Sequence, residues 1–161
     1  MKTLYLIRHA KSSKDDPSLS DRDRPLADRG RRDAPTMGKR LAKRDVKPDL
    51  LVSSPALRAL TTAQLMADEI GYAREKIVVD DHLYGSSADV LLALVRALDR
   101  KADRVMLFGH NPEITELAHR LSSDIADMPT CAIAEFRFDT KKWSDVGELD
   151  PAQATLDQPQ E

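Results

Sequence analysis

The sequence of 161 residues holds a single cysteine, Cys131. No intramolecular disulfide can form, and a zinc site built on cysteines is excluded. A lone cysteine in an apolar run is a core residue sooner than a nucleophile. Neither sign of charge dominates, since 25 Lys and Arg stand against 27 Asp and Glu. The charges are interspersed, so no nucleic-acid binder and no polybasic membrane binder is indicated. Long apolar runs are lacking too. None approaches the roughly 18 residues of a bilayer span. The apolar start breaks at Arg8, which leaves no h-region for a secretory signal. A cytoplasmic monomer is the default expectation. Also lacking are an internal repeat, a Walker-type glycine-rich loop and an obvious metal cluster. No cofactor and no metal are expected.

What is present is a globular composition, 41% hydrophobic and 32% charged, in a length that suits one domain. Residues 1–150 are read as that domain and 151–161 as a polar tail without order. Residues 3–8 form a short buried strand, and the polar stretch 9–27 a long loop of the kind that often carries function. Ala34, Met37, Gly38 and Leu41 share one helical face, with Pro35 awkward unless it lies in the first turn. Leu50–Ser53 is a second strand. Ser54-Pro55 reads as a cap plus proline opening a helix to about Ile70, which Gly71 ends. Ile77–Val79 is a third strand, and Ser86 or Ser87 caps a further helix. Arg104–Gly109 is a fourth strand, and Asn111-Pro112 repeats the cap signal. Thr130–Phe138 is an edge or antiparallel strand. This alternation implies an α/β three-layer sandwich with a mostly parallel central sheet flanked by helices.

Ligands of open parallel sheets bind beyond the carboxyl ends of the strands. Arg8 and His9 follow the first strand, Arg58 lies just past the second, and His110 follows the fourth. Alone, each is an ordinary charged end of an element. Together they place two arginines, two histidines and two helix N-termini at one edge. Guanidinium forks and free helix N–H groups suit a phosphoryl group, and two nearby guanidiniums repel unless an anion lies between them. A neutral imidazole there can act as nucleophile, provided its other nitrogen donates to an acceptor such as a backbone carbonyl. Ser12 and Asn111 join Arg8, Arg58 and His110 as phosphate-binding candidates. Lys11 and Ser13 either contact phosphate or shape the loop. His119 is read as a surface or interface histidine. Metal ligation by His82 with Asp80 and Asp81 is the weaker reading of that cluster.

These stretches resemble a known family. Arg8-His9-Ala10, the segment Ser53-Ser54-Pro55-Ala56-Leu57-Arg58-Ala59 with Thr61-Thr62-Ala63, and Gly109-His110-Asn111-Pro112 are similar to signatures of the histidine phosphatase superfamily. The resemblance covers about residues 1–138 and implies a phosphoglycerate-mutase-like fold. The short chain, with Asp23-Arg24-Pro25-Leu26, looks most like the SixA-type phosphohistidine phosphatases. The resemblance implies that His9 becomes phosphorylated, that Arg8 and Arg58 clamp the phosphoryl oxygens, and that His110 stabilises the transition state. The chain departs from the family where an acidic proton donor is expected. Tyr84 stands there, with Asp80, Asp81 and His82 nearby. A protonated imidazole leaves more readily than an alkoxide, for which a general acid contributes about 10²–10⁴-fold. The missing acid and the small size therefore favour a phosphorylated histidine on another protein, such as a histidine-containing phosphotransfer domain in signalling. The alternatives are a phosphatase for small phosphoesters, a module that binds phosphorylated ligands without turnover, and a phosphate relay. The arginines of segment 22–32 are either solvated surface or a docking patch for an acidic partner.

Overall fold

The protein is described by a computed structural model over residues 1–159. Six strands and four α-helices follow one another as β1 (Lys2–Arg8), α1 (Asp28–Lys43), β2 (Leu50–Ser53), α2 (Leu57–Ile70), β3 (Val78–Val79), α3 (Ala88–Arg96), β4 (Arg104–Gly109), α4 (Glu113–Leu121), β5 (Ile133–Phe138) and β6 (Gln153–Asp157). They build one sheet in the order β3-β2-β4-β1-β5-β6. The first four are parallel, and β5 and β6 are antiparallel additions. The α/β expectation holds.

Side chains of a strand alternate between faces. Leu4 and Leu6 of β1 enter one core with Leu91 and Val95 of α3 and Ile114 and Leu117 of α4. Tyr5 and Ile7 enter the other with Met37 and Leu41 of α1 and Met66 and Ile70 of α2. Burial on both faces is why β1 and β4 read as unbroken apolar runs. Their register sets Leu6 beside Leu107, Ile7 beside Phe108 and Arg8 beside Gly109. The next residue of each strand, His9 and His110, therefore leaves the sheet at the same place.

Several local expectations shift. Pro35 lies well inside α1 rather than in its first turn. It cannot donate to the Arg31 carbonyl, yet burial of Ala34, Met37 and Leu41 carries the helix through. α2 starts at Leu57, after Ser54 and Pro55, with Ala56 as its cap residue. The Ser54 hydroxyl accepts the Ala56 N–H at 3.1 Å and also meets His110, so the local cap signal is drawn into the site. Likewise α4 starts at Glu113, after Asn111 and Pro112. Ser87 does cap α3, accepting the Val90 N–H at 3.2 Å, and Gly71 ends α2 in the left-handed region.

The tail is a correction. Gln153–Asp157 form β6, in register from Ile133 opposite Asp157 to Arg137 opposite Gln153. Arg40 holds its end, donating to Asp157 and to the Gln158 carbonyl, each at 2.9 Å. Backbone pairing on an outer strand asks little of the side chains, so a polar sequence suffices. Residues 160–161 of the expected tail lie outside the described residues. β6 also makes β5 an interior strand.

The long loop is closed on itself. Ala27 N donates to the Lys11 carbonyl at 2.9 Å, and Ser12 and Leu26 form an isolated bridge. Gly30, in the first turn of α1, lies so near that a Cβ would overlap the Lys11 carbonyl oxygen. Glycine is what lets α1 pack against the segment that follows β1.

Candidate active site

Beyond the ends of β1, β2 and β4 lies a cleft of about 650 Å³. Arg8, His9, Arg58 and His110 all line it. His9, Arg58 and His110 are only 8%, 6% and 6% exposed. The His9 backbone is held across the sheet by its N–H to the Gly109 carbonyl, at 3.1 Å. Its ring Nδ1 lies 2.7 Å from the Ala10 carbonyl. A carbonyl only accepts, so Nδ1 carries the proton and Nε2 keeps its lone pair. Burial pushes the His9 pKa down to about 4, with Arg58 and Arg8 adding to the fall and the Ala10 hydrogen bond opposing it. The ring is a neutral base at neutral pH.

His110 lies 5.1 Å from His9 between ring centroids. Its Nε2 is 2.8 Å from the Ser54 hydroxyl. Burial, then His9 and Arg58, lower its pKa to about 3. Arg8 donates through Nη1 to the Met128 carbonyl at 3.1 Å. Arg58, in the first turn of α2, donates through Nη1 and Nη2 to the Asp21 carbonyl and carboxylate at 2.6 and 3.0 Å. Among the described residues, Arg8 Nε, Arg58 Nε and His110 Nδ1 are buried polar atoms without a hydrogen-bond partner. Buried polar groups are ordinarily paired. Three that are not lie on side chains lining one cleft, where each is free to donate to an oxygen of a bound anion.

The other candidates divide. Ser12 lines the cleft and accepts from Arg24 Nη1 at 2.8 Å. Asn111 lines it too, but its amide holds the scaffold: Nδ2 donates to the Met128 carbonyl at 3.1 Å and Oδ1 accepts from Thr115 at 2.6 Å. Tyr84 reaches the cleft, its ring edge-on to His110 at 5.5 Å. Asp80 and His82 do not; they bond to each other, His82 Nδ1 to Asp80 Oδ1 at 2.8 Å, and line a separate apolar cleft beside Val78 and Val90. Asp81 is exposed and lines neither. Within segment 22–32, Arg24 enters the cleft and Arg22 lies over the Tyr84 ring at 5.3 Å. Arg29 and Arg31 pair with Asp33 and Asp28 along α1. His119 is exposed on α4. Cys131 is buried, its thiol pKa raised by that burial, and its N–H braces the Arg8 and His9 carbonyls. Among the described residues no group of three or more His, Cys, Asp and Glu is gathered as a metal site.

Two acids at the cleft escaped the sequence reading. Asp21 accepts from Arg58, Arg24 and Tyr84. Glu113, 5% exposed in the first turn of α4, accepts the Ser86 N–H at 3.2 Å. Asp21 lies three residues before Arg24-Pro25-Leu26, but no local pattern ties it to a helix thirty-seven positions on. Glu113 follows Gly109-His110-Asn111-Pro112 directly, where an acid in a first helical turn is ordinary and carries no signal of a site.

The sequence profile described as "Histidine phosphatase superfamily (branch 1)" matches residues 4–87. The chain belongs to the histidine phosphatase superfamily. An uncharacterized chloroplastic protein of Arabidopsis thaliana is 30% identical over 154 residues, spanning 91% of this chain and 71% of its own. A crystal structure from Agrobacterium tumefaciens, described as the "putative phosphohistidine phosphatase SixA", superposes with a TM-score of 0.77 at 29% identity, over 84% of this chain and 90% of that one. A tungstate complex of the protein histidine phosphatase SixA has the same fold, with a TM-score of 0.78 at 23% identity over 97% and 94% of the two chains.

The histidine environments carry a pH signature. Between pH about 6.5 and about 4 an unfolded chain protonates these two imidazoles while the folded chain keeps them neutral. The unfolded state then binds more protons, so stability falls as pH falls through that window. Each histidine contributes a slope of up to about 1.4 kcal/mol per pH unit. Thermal unfolding of the protein and of a His110→Asn variant between pH 7 and 4 checks this, the variant giving the shallower decline. Equal slopes would mean that His110 is charged when folded.

Proposed function

We propose that this superfamily member is a phosphohistidine phosphatase that removes phosphate from a histidine of a phosphoprotein through a covalent phospho-His9 intermediate. The observation that carries the reading is the set of unpaired buried donors, Arg8 Nε, Arg58 Nε and His110 Nδ1, in one cleft with a neutral His9 whose Nε2 holds a lone pair. Likeness to the "putative phosphohistidine phosphatase SixA" of Agrobacterium tumefaciens supports the substrate class.

In this mechanism His9 Nε2 attacks phosphorus in line. The new Nε2–P bond forms as the P–N bond to the substrate imidazole breaks, and the electron pair leaves on that imidazole nitrogen. Arg8 and Arg58 receive the equatorial oxygens. The Ser54 hydroxyl, donating to His110 Nε2, leaves the proton on Nδ1, and His110 becomes a neutral donor to a third oxygen. Water then attacks phosphorus, the P–Nε2 bond breaks with its electron pair returning to Nε2, and phosphate departs as dihydrogen phosphate carrying both protons of the water, which leaves His9 neutral with its proton on Nδ1.

Tyr84 does not replace the missing acid. Its hydroxyl donates to Asp21 Oδ2 at 2.7 Å, and that bond raises its pKa. Asp21 is held ionised by Tyr84 first and then by Arg58. One observation favours the second reading, a phosphatase for small phosphoesters: Glu113 is a carboxyl at the cleft that pairs with no cation among the described residues.

The test is phosphate release from a phosphorylated histidine-containing phosphotransfer domain, run beside aryl and alkyl phosphates. The expected result is turnover of the phosphohistidine and the aryl ester, with the alkyl ester slower by about 10²-fold or more. No release from phosphohistidine sinks the proposal. Fast alkyl ester hydrolysis that Glu113→Gln abolishes would establish the second reading.

A further inference from the structure

Asp21 lies on an exposed turn of the long loop, Asp21–Asp23, yet its carboxylate accepts four hydrogen bonds from three residues at the cleft. Its Oδ1 accepts from Arg24 Nε and Nη2 at 3.2 and 3.1 Å. Its Oδ2 accepts from Arg58 Nη2 at 3.0 Å and from Tyr84 at 2.7 Å. Its backbone carbonyl takes Arg58 Nη1 at 2.6 Å. Three stretches of chain meet there: the loop after β1, the start of α2, and the turn before α3. Both terminal nitrogens of Arg58 are turned toward Asp21, so the Nε edge of the guanidinium is the part left without a partner. Arg24 in turn donates to Ser12 and to the Ser13 carbonyl, fixing Asp21 from the side of β1.

We propose that Asp21 is a positioning residue, setting which edge Arg58 presents to the phosphoryl group. The inference rests on the phosphatase reading above and extends it. A guanidinium makes directional contacts, and contacts realised only in the transition state raise turnover rather than affinity. With Asp21 replaced, Arg58 keeps its charge and still attracts an anion. It loses the orientation that meets the equatorial oxygens of a trigonal-bipyramidal centre. Asp21 is also saturated with donors. It gives no proton to the leaving group, so its effect is the same whatever group leaves.

The experiment compares the protein with Asp21→Asn in two ways. By calorimetry, vanadate, which adopts the transition-state geometry, is expected to bind about 10- to 100-fold more weakly, while inorganic phosphate changes by less than about 3-fold. In turnover, kcat/KM is expected to fall by about 10- to 100-fold on phosphohistidine and on an aryl phosphate alike. A loss confined to the poorer leaving group would make Asp21 a proton donor and overturn the inference. Parallel weakening of both anions with a lower Tm would make its role merely structural and also overturn it, as would no change. If Asp21→Asn does not fold, Arg24→Gln, which removes both bonds to Oδ1, carries the test with a smaller loss of the same pattern; an unchanged anion ratio there overturns it. Failure of the wild type to bind either anion would count against the phosphatase reading, whereas an unchanged ratio with turnover intact counts against Asp21 alone.

Discussion

Replacing His9 by alanine is expected to abolish phosphoenzyme formation and lower turnover by at least about 10⁴-fold. The size follows from the role proposed for it. Of the two cleft imidazoles, His9 is the one whose Nε2 keeps a lone pair with no competing bond, because Nδ1 spends its proton on the Ala10 carbonyl and burial keeps the ring neutral. His110 is a poor substitute. It is just as neutral, but its Nε2 is engaged by Ser54, and on the proposed tautomer its Nδ1 bears a proton. Alkaline quenching of a reaction with labelled phosphohistidine substrate, followed by digestion, reads the result: label on a peptide containing His9 in the wild type and none in His9→Ala. Label appearing on His110, or activity persisting in His9→Ala, would refute the assignment. The anion site itself survives in His9→Ala, so phosphate binding is retained and a folding defect can be told from a lost nucleophile.

The second large effect is at Arg58. Alanine there is expected to lower kcat by about 10²–10³-fold, as for loss of one preorganised donor to a developing charge. Lysine is expected to recover little of it. The Arg58 guanidinium holds the Asp21 backbone and carboxylate through Nη1 and Nη2 and still has Nε left over. An ammonium on a flexible stem cannot do both, because it lacks the rigid fork. Its environment is also only 6% exposed, so the charge cannot settle in water instead. Steady-state kinetics on Arg58→Ala and Arg58→Lys checks this. A lysine variant within about threefold of wild type would mean that charge alone is required there.

Much of this site is legible in the sequence because α/β topology turns chain position into place. Arg8-His9, Arg58 and His110 each stand just after an apolar run, and runs buried on both faces belong to a parallel sheet whose strand ends share one edge. The strand at Leu4–Ile7 and the one at Val105–Phe108 could be recognised without knowing that they are neighbours. What could not be recognised is what reaches the cleft from between the elements. Asp80, Asp81 and His82 sit in the right stretch of sequence for an acid, yet Asp80 and His82 turn away into a local bond of their own and Asp81 is exposed outside the cleft. Asp21 and Glu113 arrive instead, one from a loop and one from a helix start. The tail is the reverse case: its polar residues gave no strand signal, and pairing with β5 is a backbone matter.

By itself the sequence determined the class of fold, the four basic side chains at the strand ends and the family, since these depend on apolar periodicity and on residue types held at fixed distance from a strand. Tertiary structure alone decided the protonation and aim of those side chains. The proton on His9 Nδ1 depends on the Ala10 carbonyl, the edge of Arg58 on Asp21, and the neutrality of both histidines on burial by the whole domain. Hydrogen-bond partners and desolvation are properties of what surrounds a group in space, and neighbours in space here come from segments far apart along the chain.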